Sequence, residues 1–503
     1  MKRRFGAILM SGVMACSVMA GLAFSTACTG NQKPDFVMPE GGFDTNKEVT
    51  ITFYHSMGQD NKKVLNASLE EFKKLYPNIT VIEEAQGGYD DVRDQITKEI
   101  MDGSQPDVAY CYPDHVALFN QSGAVQSLND FLADGTYKDY TVPQVKLDAD
   151  GNQLKNDDGS YVTEEVSLNL TQAQKESYID GYYAEGFKFD DETKMYTLPF
   201  SKSTEVLYYN KTLFEKHNLT VPKTWQELGA LCETIHGIDS KVFPFTYDSE
   251  ANWFITMCEQ YGSGYTSATG NKFLFDNKTN QEFVTTFTDW YEKGYFTTQS
   301  LNGEGGNPKY TSDHFTAQNS FMCIGSSAGA GNQLPPVTNG VPQFQVGITS
   351  IPQVNPDAPK VISQGPSVCI LKQDDPQRVL ASWLLVKYLT TDVNFQAALS
   401  ITSGYVPVLK EEVMKTNVAY AAHLSTADEN APTTRANITA LSAKVCMEQE
   451  KAYFVSPAFV GSSTARDQVG YLMLAAFTSK TNNKTIDQAF KDAIAECEYF
   501  DVG

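Results

Sequence analysis

At 503 residues, with 41% hydrophobic and 12% aromatic side chains, the chain is long enough for two or three packed domains and too apolar for wholesale disorder. Its 61 Asp and Glu against 39 Lys and Arg leave a formal charge of −22, which repels phosphate backbones and anionic headgroups. Nucleic-acid binding and peripheral membrane binding through basic patches are therefore set aside.

The first readable element is N-terminal. Lys2, Arg3 and Arg4 precede an uncharged stretch from Phe5 to Phe24, which closes on Ser25-Thr26-Ala27 before Cys28. This is the three-part layout of a secretory signal peptide. A short membrane anchor is the competing reading, since about 20 apolar residues span a bilayer, but Gly6, Ser11, Gly12, Ser17 and Gly21 dilute the run and no charged flank follows. A small residue before cysteine resembles a bacterial lipobox, which implies cleavage after residue 27 and a lipid on Cys28, although Ser25 stands where Leu is usual. Cys16 would leave too short an apolar core. Thr29 to Thr45, polar with Gly and Pro, is expected to be a flexible tether.

From Glu48 the pattern alternates strand and helix. Val49 to Tyr54 is a β-rich run, and Lys62 to Tyr76 places Leu65, Leu69 and Phe72 on one helical face. Ile79 to Ile82, Asp90 to Met101 and Asp107 to Tyr110 continue as strand, helix and strand. This order argues for a parallel α/β sheet with its ligand loops, His55 to Asp60 and Tyr112 to His115, beyond the carboxyl ends of the strands. Val142 to Phe189 breaks the rhythm with turn clusters at Asp148–Asn152 and Asn156–Ser160. Counted from Asp148, Gln153 and Gly159 stand where a calcium loop needs Gly and an acid, so a hairpin insertion is expected. Further on, Val206 to Tyr209 is a buried strand, Lys211 to His217 a short helix, and Thr224 to Glu227 a capping box. Asp375 and Pro376 start another helix, with Val379, Leu380, Trp383 and Leu384 on its buried side.

One stretch carries more than fold class. Pro199, Leu207, Tyr209-Asn210-Lys211, Leu213-Phe214 and then Pro222, Thr224-Trp225 and Glu227-Leu228 closely resemble the solute-binding proteins of carbohydrate ABC importers, the maltose-binding-like family. Pro106-Asp107-Val108, Phe315 to Gly325-Ser326, Gly404-Tyr405-Val406-Pro407-Val408 and Gly461 to Arg466 resemble that family's later segments in the same order. The resemblance covers essentially the whole mature chain. It implies a two-lobed α/β fold with three crossovers and a cleft between the lobes. Lobe one would comprise residues 48–200 plus 370–455, and lobe two 204–366 plus 460–503. It further implies a monomer outside the cytoplasm, anchored at Cys28, that hands a sugar-like solute to a membrane permease and its ATPase subunit, without a cofactor.

By position in the family pattern, the ligand residues would be Tyr112, Asp114, Ser203, Glu205, Trp253, Ser326, Ser327 and Arg466. Sugars offer hydroxyls and apolar C–H faces, so aromatic platforms and charged or amide groups suit them. Each has a plainer alternative. Trp253 beside Phe254 fits a core, Glu205 an edge, Tyr112 the surface and Asp114 a helix cap. Arg466 in the cleft would favour a carboxylate or phosphate, an acidic sugar or a glycerol phosphate; paired with Asp467, it would carry no such meaning.

Enzyme readings have less support. Gly325-Ser326-Ser327-Ala328-Gly329 fits G-x-S-x-G, which would make Ser327 a hydrolase nucleophile. But Ala-Gly-Ala-Gly-Asn and Pro335-Pro336 follow, a poor start for the helix such an elbow requires. No carboxylate pair is singled out as a glycosidase would need. The six histidines are scattered, and the seven cysteines after Cys28 form no CxxC, so neither a metal site nor a disulfide framework is expected.

Overall fold

The structure, a computed structural model, describes residues 33–302 and 310–501. The signal segment 1–27 and Cys28 lie outside the described residues. The β-rich runs form two main sheets. In the first, Val49–His55 pairs in parallel with Ile79–Ala85 on one side and Val108–Cys111 on the other. Ser367–Ile370 then pairs antiparallel with Val108–Cys111, and Leu198–Pro199 with Ser367–Ile370. The strand order is therefore set by chain that returns from more than 250 residues downstream. Val49, Ile51 and Phe53 point to the core and Phe72 and Leu65 of the first helix, Gln59–Leu75, cover them.

The second sheet is organised around Ser203–Asn210. Ser320–Ser326 pairs antiparallel along one edge of that strand. Along the other edge, Ser203 and Thr204 pair with Val361–Gln364, and Val206 to Asn210 with Val346–Ser350. Phe243–Tyr247 and Phe296–Thr298 extend the sheet beyond Ser320–Ser326, and Tyr453–Phe454 closes the far side. The capping box holds as read: Glu227 N donates to Thr224 Oγ1 at 3.1 Å and Thr224 N to Glu227 Oε2 at 3.2 Å. Asp375 caps Pro376–Thr391 through the Gln377 amide.

Two lobes result, and the chain passes between them three times: at Phe200–Lys202, at Gly365–Pro366 and between the helix Arg435–Glu448 and Tyr453. The first two passages are pressed together. Gly365 has φ +100°, and a Cβ there would sit 2.5 Å from Ser201 O and 2.9 Å from Lys202 Cα. Lys202 is fully buried, ion-paired with Glu185, and its Nζ also donates to Gly365 O at 3.3 Å and Ser367 Oγ at 3.1 Å. The helix Arg435–Glu448 lies across the seam. Its Ile438 and Cys446 share one core with Val206, Tyr208 and Val346 of the second sheet, so the first core does not stop at the lobe boundary.

Residues 141–167 form the expected hairpin, Thr141–Val145 against Thr163–Ser167. One expectation is overturned. The stretch expected as a flexible tether is docked from Lys33 onward: Phe43 is buried and Phe36 packs on Phe131. The apolar content of Phe36, Met38 and Phe43, spaced among Pro and Gly, outweighs a composition that reads as linker. Among the described residues the cysteines form no disulfide, and no group of three or more His, Cys, Asp and Glu is placed to hold a metal ion. No described helix is long and apolar enough to cross a membrane.

Candidate functional site

A cleft opens between the lobes, floored by Ile362 to Gly365, which lead into the second passage, and by Val455 to Ala458, which follow the third. From the first lobe, Pro113 starts the helix Pro113–Gln121 directly after Val108–Cys111. Its fixed φ suits the first helical position, and this thrusts Tyr112 and Asp114 into the gap. Asp114 lies within the first turn rather than at the cap, which Tyr112 occupies; its Oδ1 accepts from His115 N at 3.1 Å. From the second lobe, Arg466 projects from the helix Ser462–Phe477, whose entry is set by Gly461 at φ +99°.

Arg466 is the element that ties the cleft together. Its Cζ lies 5.9 Å from the Tyr112 ring centroid, across the gap, within reach of a cation–π attraction. Its Nη2 donates to Asn252 Oδ1, and Asn252 Nδ2 in turn donates to Gln364 Oε1 of the second passage at 2.9 Å. Among the described residues Arg466 forms no ion pair. Asp467, its sequence neighbour, instead lies 3.6 Å from Arg93. The guanidinium therefore faces the cleft without a salt bridge, though Glu205 and Asp467 lie close enough to feel its charge.

Behind Tyr112 stands a tyrosine cluster. The Tyr89 ring lies 4.4 Å from that of Tyr112, and the Tyr89 hydroxyl reaches Tyr405 at 3.2 Å and Tyr110 at 3.4 Å. Burial pushes the phenols of Tyr89, Tyr110 and Tyr112 up, so they stay neutral at physiological pH. On the opposite wall, Tyr265 and Ser363 line the cleft with buried hydroxyls that make no hydrogen bond. Leaving a buried hydroxyl unpaired is costly, and such groups call for a partner from outside the chain.

The other sequence-predicted residues divide. Ser203 and Glu205 are buried beneath the cleft in Ser203–Asn210 rather than lining it. Glu205 accepts from Tyr247 Oη, and burial pushes its carboxyl up to about 7 against the opposing pull of Tyr247, Asn252 and Arg466. Ser326, half-buried at the end of Ser320–Ser326, accepts from Ala328 N through its hydroxyl at 3.3 Å. Ser327 is fully buried, and its Oγ accepts from Thr204 N at 3.2 Å. A 3-10 turn over Ser327–Gln333 follows it in place of an α-helix. A nucleophile elbow needs an exposed hydroxyl and a helix, and Ser327 has neither.

Trp253 is in the core, not in the cleft. Its ring stacks 4.8 Å from Tyr247 and lies 4.3 Å from Phe287, with no exposed surface. The helix Glu250–Tyr261 presents Ile255 to the gap and Asn252 to the Arg466 guanidinium from beneath, and the 100° step per residue turns Trp253 away. Sequence reasoning missed Tyr89, Asn252, Tyr265 and Ser363; none sits in a pattern that marks it, and only the approach of distant loops assembles them.

Across the cleft, Arg93 of the helix Tyr89–Asp102 donates to Ser463 Oγ at 3.2 Å, beside its 3.6 Å approach to Asp467. It also pairs within its own helix with Asp90 and Asp94. At this edge of the cleft the lobes are thus bridged by polar contacts, in addition to the apolar core that Arg435–Glu448 shares with the second sheet.

Residues 67–433 match the family described as bacterial extracellular solute-binding protein. A maltotriose-binding protein of Pyrococcus abyssi is 20% identical over 378 residues, covering 72% of this chain and 67% of that protein. The sn-glycerol-3-phosphate-binding periplasmic protein UgpB of Shigella dysenteriae is 25% identical over 183 residues; the match spans 36% of this chain and 34% of that relative's length. Among solved structures, UgpB from Mycobacterium tuberculosis in complex with glycerophosphocholine superposes with a TM-score of 0.64 at 15% identity, covering 90% of this chain and 98% of that one.

Proposed function

Because the chain belongs to the bacterial extracellular solute-binding protein family, we propose that it captures a sugar-like solute in the cleft between its lobes and delivers it to the permease of an ABC importer. The observation that carries this reading is the pairing of unused polar groups with an aromatic wall. Tyr112 offers an apolar face, Tyr265 and Ser363 offer hydroxyls that the protein itself leaves unsatisfied, and Arg466 adds a guanidinium that forms no salt bridge among the described residues. A polyhydroxylated solute meets both needs, stacking its C–H face on Tyr112 and giving its hydroxyls to the opposite wall. Glycerophosphates, which the two UgpB relatives are named or shown to bind, are the second chemistry to test.

Closure follows from the placement of these groups. Tyr112 and Asp114 belong to the first lobe, Arg466 and Tyr265 to the second, so a solute that touches both favours the arrangement in which they are near. Glu205 and Asn252 act from beneath as positioning residues, Asn252 by holding the guanidinium. No bond is made or broken, no cofactor enters, and ATP hydrolysis belongs to the permease's partner subunit. In this reading the mature chain begins at Cys28, carries a lipid there, works outside the cytoplasm as a monomer and is not an enzyme; the hydrolase alternative through Ser327 loses its basis in that residue's burial.

A thermal-shift screen of mono-, di- and oligosaccharides, uronates and glycerophosphates tests the reading. A ligand at 100 times its Kd adds about 2.7 kcal/mol to the folded state, and scattering should show compaction with the same ligand. Failure of every solute to stabilise the protein, or turnover of any of them, overturns it.

A further inference from the structure

The segment ahead of the first strand is docked, and all of its docking is to one lobe. Phe36 packs edge-on against Tyr137 at 5.6 Å and lies 5.3 Å from Phe131. Phe43 is buried in the first core. The Gln377 side chain grips the backbone at two points, donating to Gly42 O at 2.9 Å and accepting from Asp44 N at 3.0 Å. Asn78 donates to Asp44 O at 3.3 Å and Lys47 O at 3.0 Å. Lys33 pairs with Asp374, Asp35 with Lys372 at 2.6 Å and Lys47 with Asp375 at 2.7 Å. Exposed ion pairs of this kind contribute little, so the two phenylalanines and the buried amides of Gln377 and Asn78 carry the docking.

We infer that residues 33–47 form a strap that shortens the membrane leash and fastens it to the first lobe, so that the bilayer restrains one lobe and leaves the second free to swing. This rests on the proposed lipid at Cys28. From Cys28 to Lys33 is five residues, which span about 18 Å at most; an undocked chain from Cys28 to Lys47 would reach about 65 Å. The difference matters because the strongly acidic chain, with 61 Asp and Glu against at most 39 Lys and Arg, is repelled by an anionic bilayer, and a long free tether would let it stand off. Every partner of the strap lies in the first lobe, so the second lobe, with Arg466 and Tyr265, closes without dragging on the anchor.

The test uses the full chain purified from bacterial membranes and placed in phosphatidylcholine–phosphatidylglycerol vesicles. Hydrogen exchange should show the amides of Gly42, Asp44 and Lys47 protected in the wild type, with exchange at least tenfold faster in Phe36→Ser/Phe43→Ser. Gln377→Ala, which leaves the aromatic packing intact, should speed the Asp44 amide by a similar factor. Energy transfer from a dye at Lys63 to headgroup acceptors should fall in the double variant as the leash lengthens. Random-coil exchange across 33–47 in the wild type, or transfer unchanged by the double variant, overturns the strap and leaves the anchor standing. Absence of a lipid mass on Cys28 in the N-terminal peptide of the membrane-purified protein sinks the anchoring reading, and the leash with it.

Discussion

Glu205→Gln isolates the cost of keeping a carboxyl under the cleft. Glu205 is about 1% exposed, and burial raises its carboxyl from 4.5 to about 7 despite the hydrogen bonds from Tyr247 and Asn252 and the nearby Arg466. A native value above the unfolded one means that the native state holds the proton where the unfolded chain has lost it. Stability from this group is therefore fully present below pH 4.5 and lost as pH rises through 7. The gap of about 2.5 units corresponds to about 3 kcal/mol at roughly 1.4 kcal/mol per unit. The glutamine side chain still accepts from Tyr247 but does not titrate. Denaturant unfolding of both proteins at half-unit steps from pH 4 to pH 8 gives a difference curve. The variant should gain about 3 kcal/mol on the wild type across that window, most of it between pH 4.5 and 7. A curve flat to within the error of the extrapolation would show that Glu205 is not held neutral by burial, and the reasoning fails.

Arg93→Gln removes the cross-cleft contacts to Ser463 and Asp467; losing about 1 kcal/mol of bridging should shift the open–closed ratio roughly fivefold, read as a larger radius of gyration of the unliganded protein by small-angle scattering, and unchanged dimensions would contradict it. Trp253→Ala should lower stability by about 3–5 kcal/mol in denaturant while leaving the order of solute preference intact; altered preference at unchanged stability would return Trp253 to the cleft. Gly365→Ala forces a Cβ against Ser201 O at 2.5 Å from a left-handed backbone; a loss of about 1–3 kcal/mol or more is expected, and a neutral result would mean that the first two passages can separate freely.

Local patterns were read well because their causes are local. The capping box at Thr224, the Asp375–Pro376 start and the inserted hairpin depend on residues a few positions apart, and each appears where the sequence places it. Positions that depend on rotation about a helix were not legible: Asn252 and Trp253 are neighbours in sequence, and only packing shows that the amide reaches Arg466 and the indole the core. Composition misled at residues 33–45, where three apolar side chains among Pro and Gly suffice to dock the chain. Asp114 and Arg466 carried open alternatives that hinged on one contact each, and the contacts lie on other elements.

By itself the sequence determined the alternation of strands and helices, the run from Pro199 to Leu228 and the loop that bears Tyr112. These follow from periodicity, caps and turns, whose energetics are settled within a few residues. The tertiary structure alone decided which hydroxyls are buried without partners, that Asp467 pairs with Arg93 rather than Arg466, and that Arg93 bridges the lobes. Such facts depend on chain segments hundreds of residues apart meeting at one gap, and on how much solvent is left there, which no local pattern encodes.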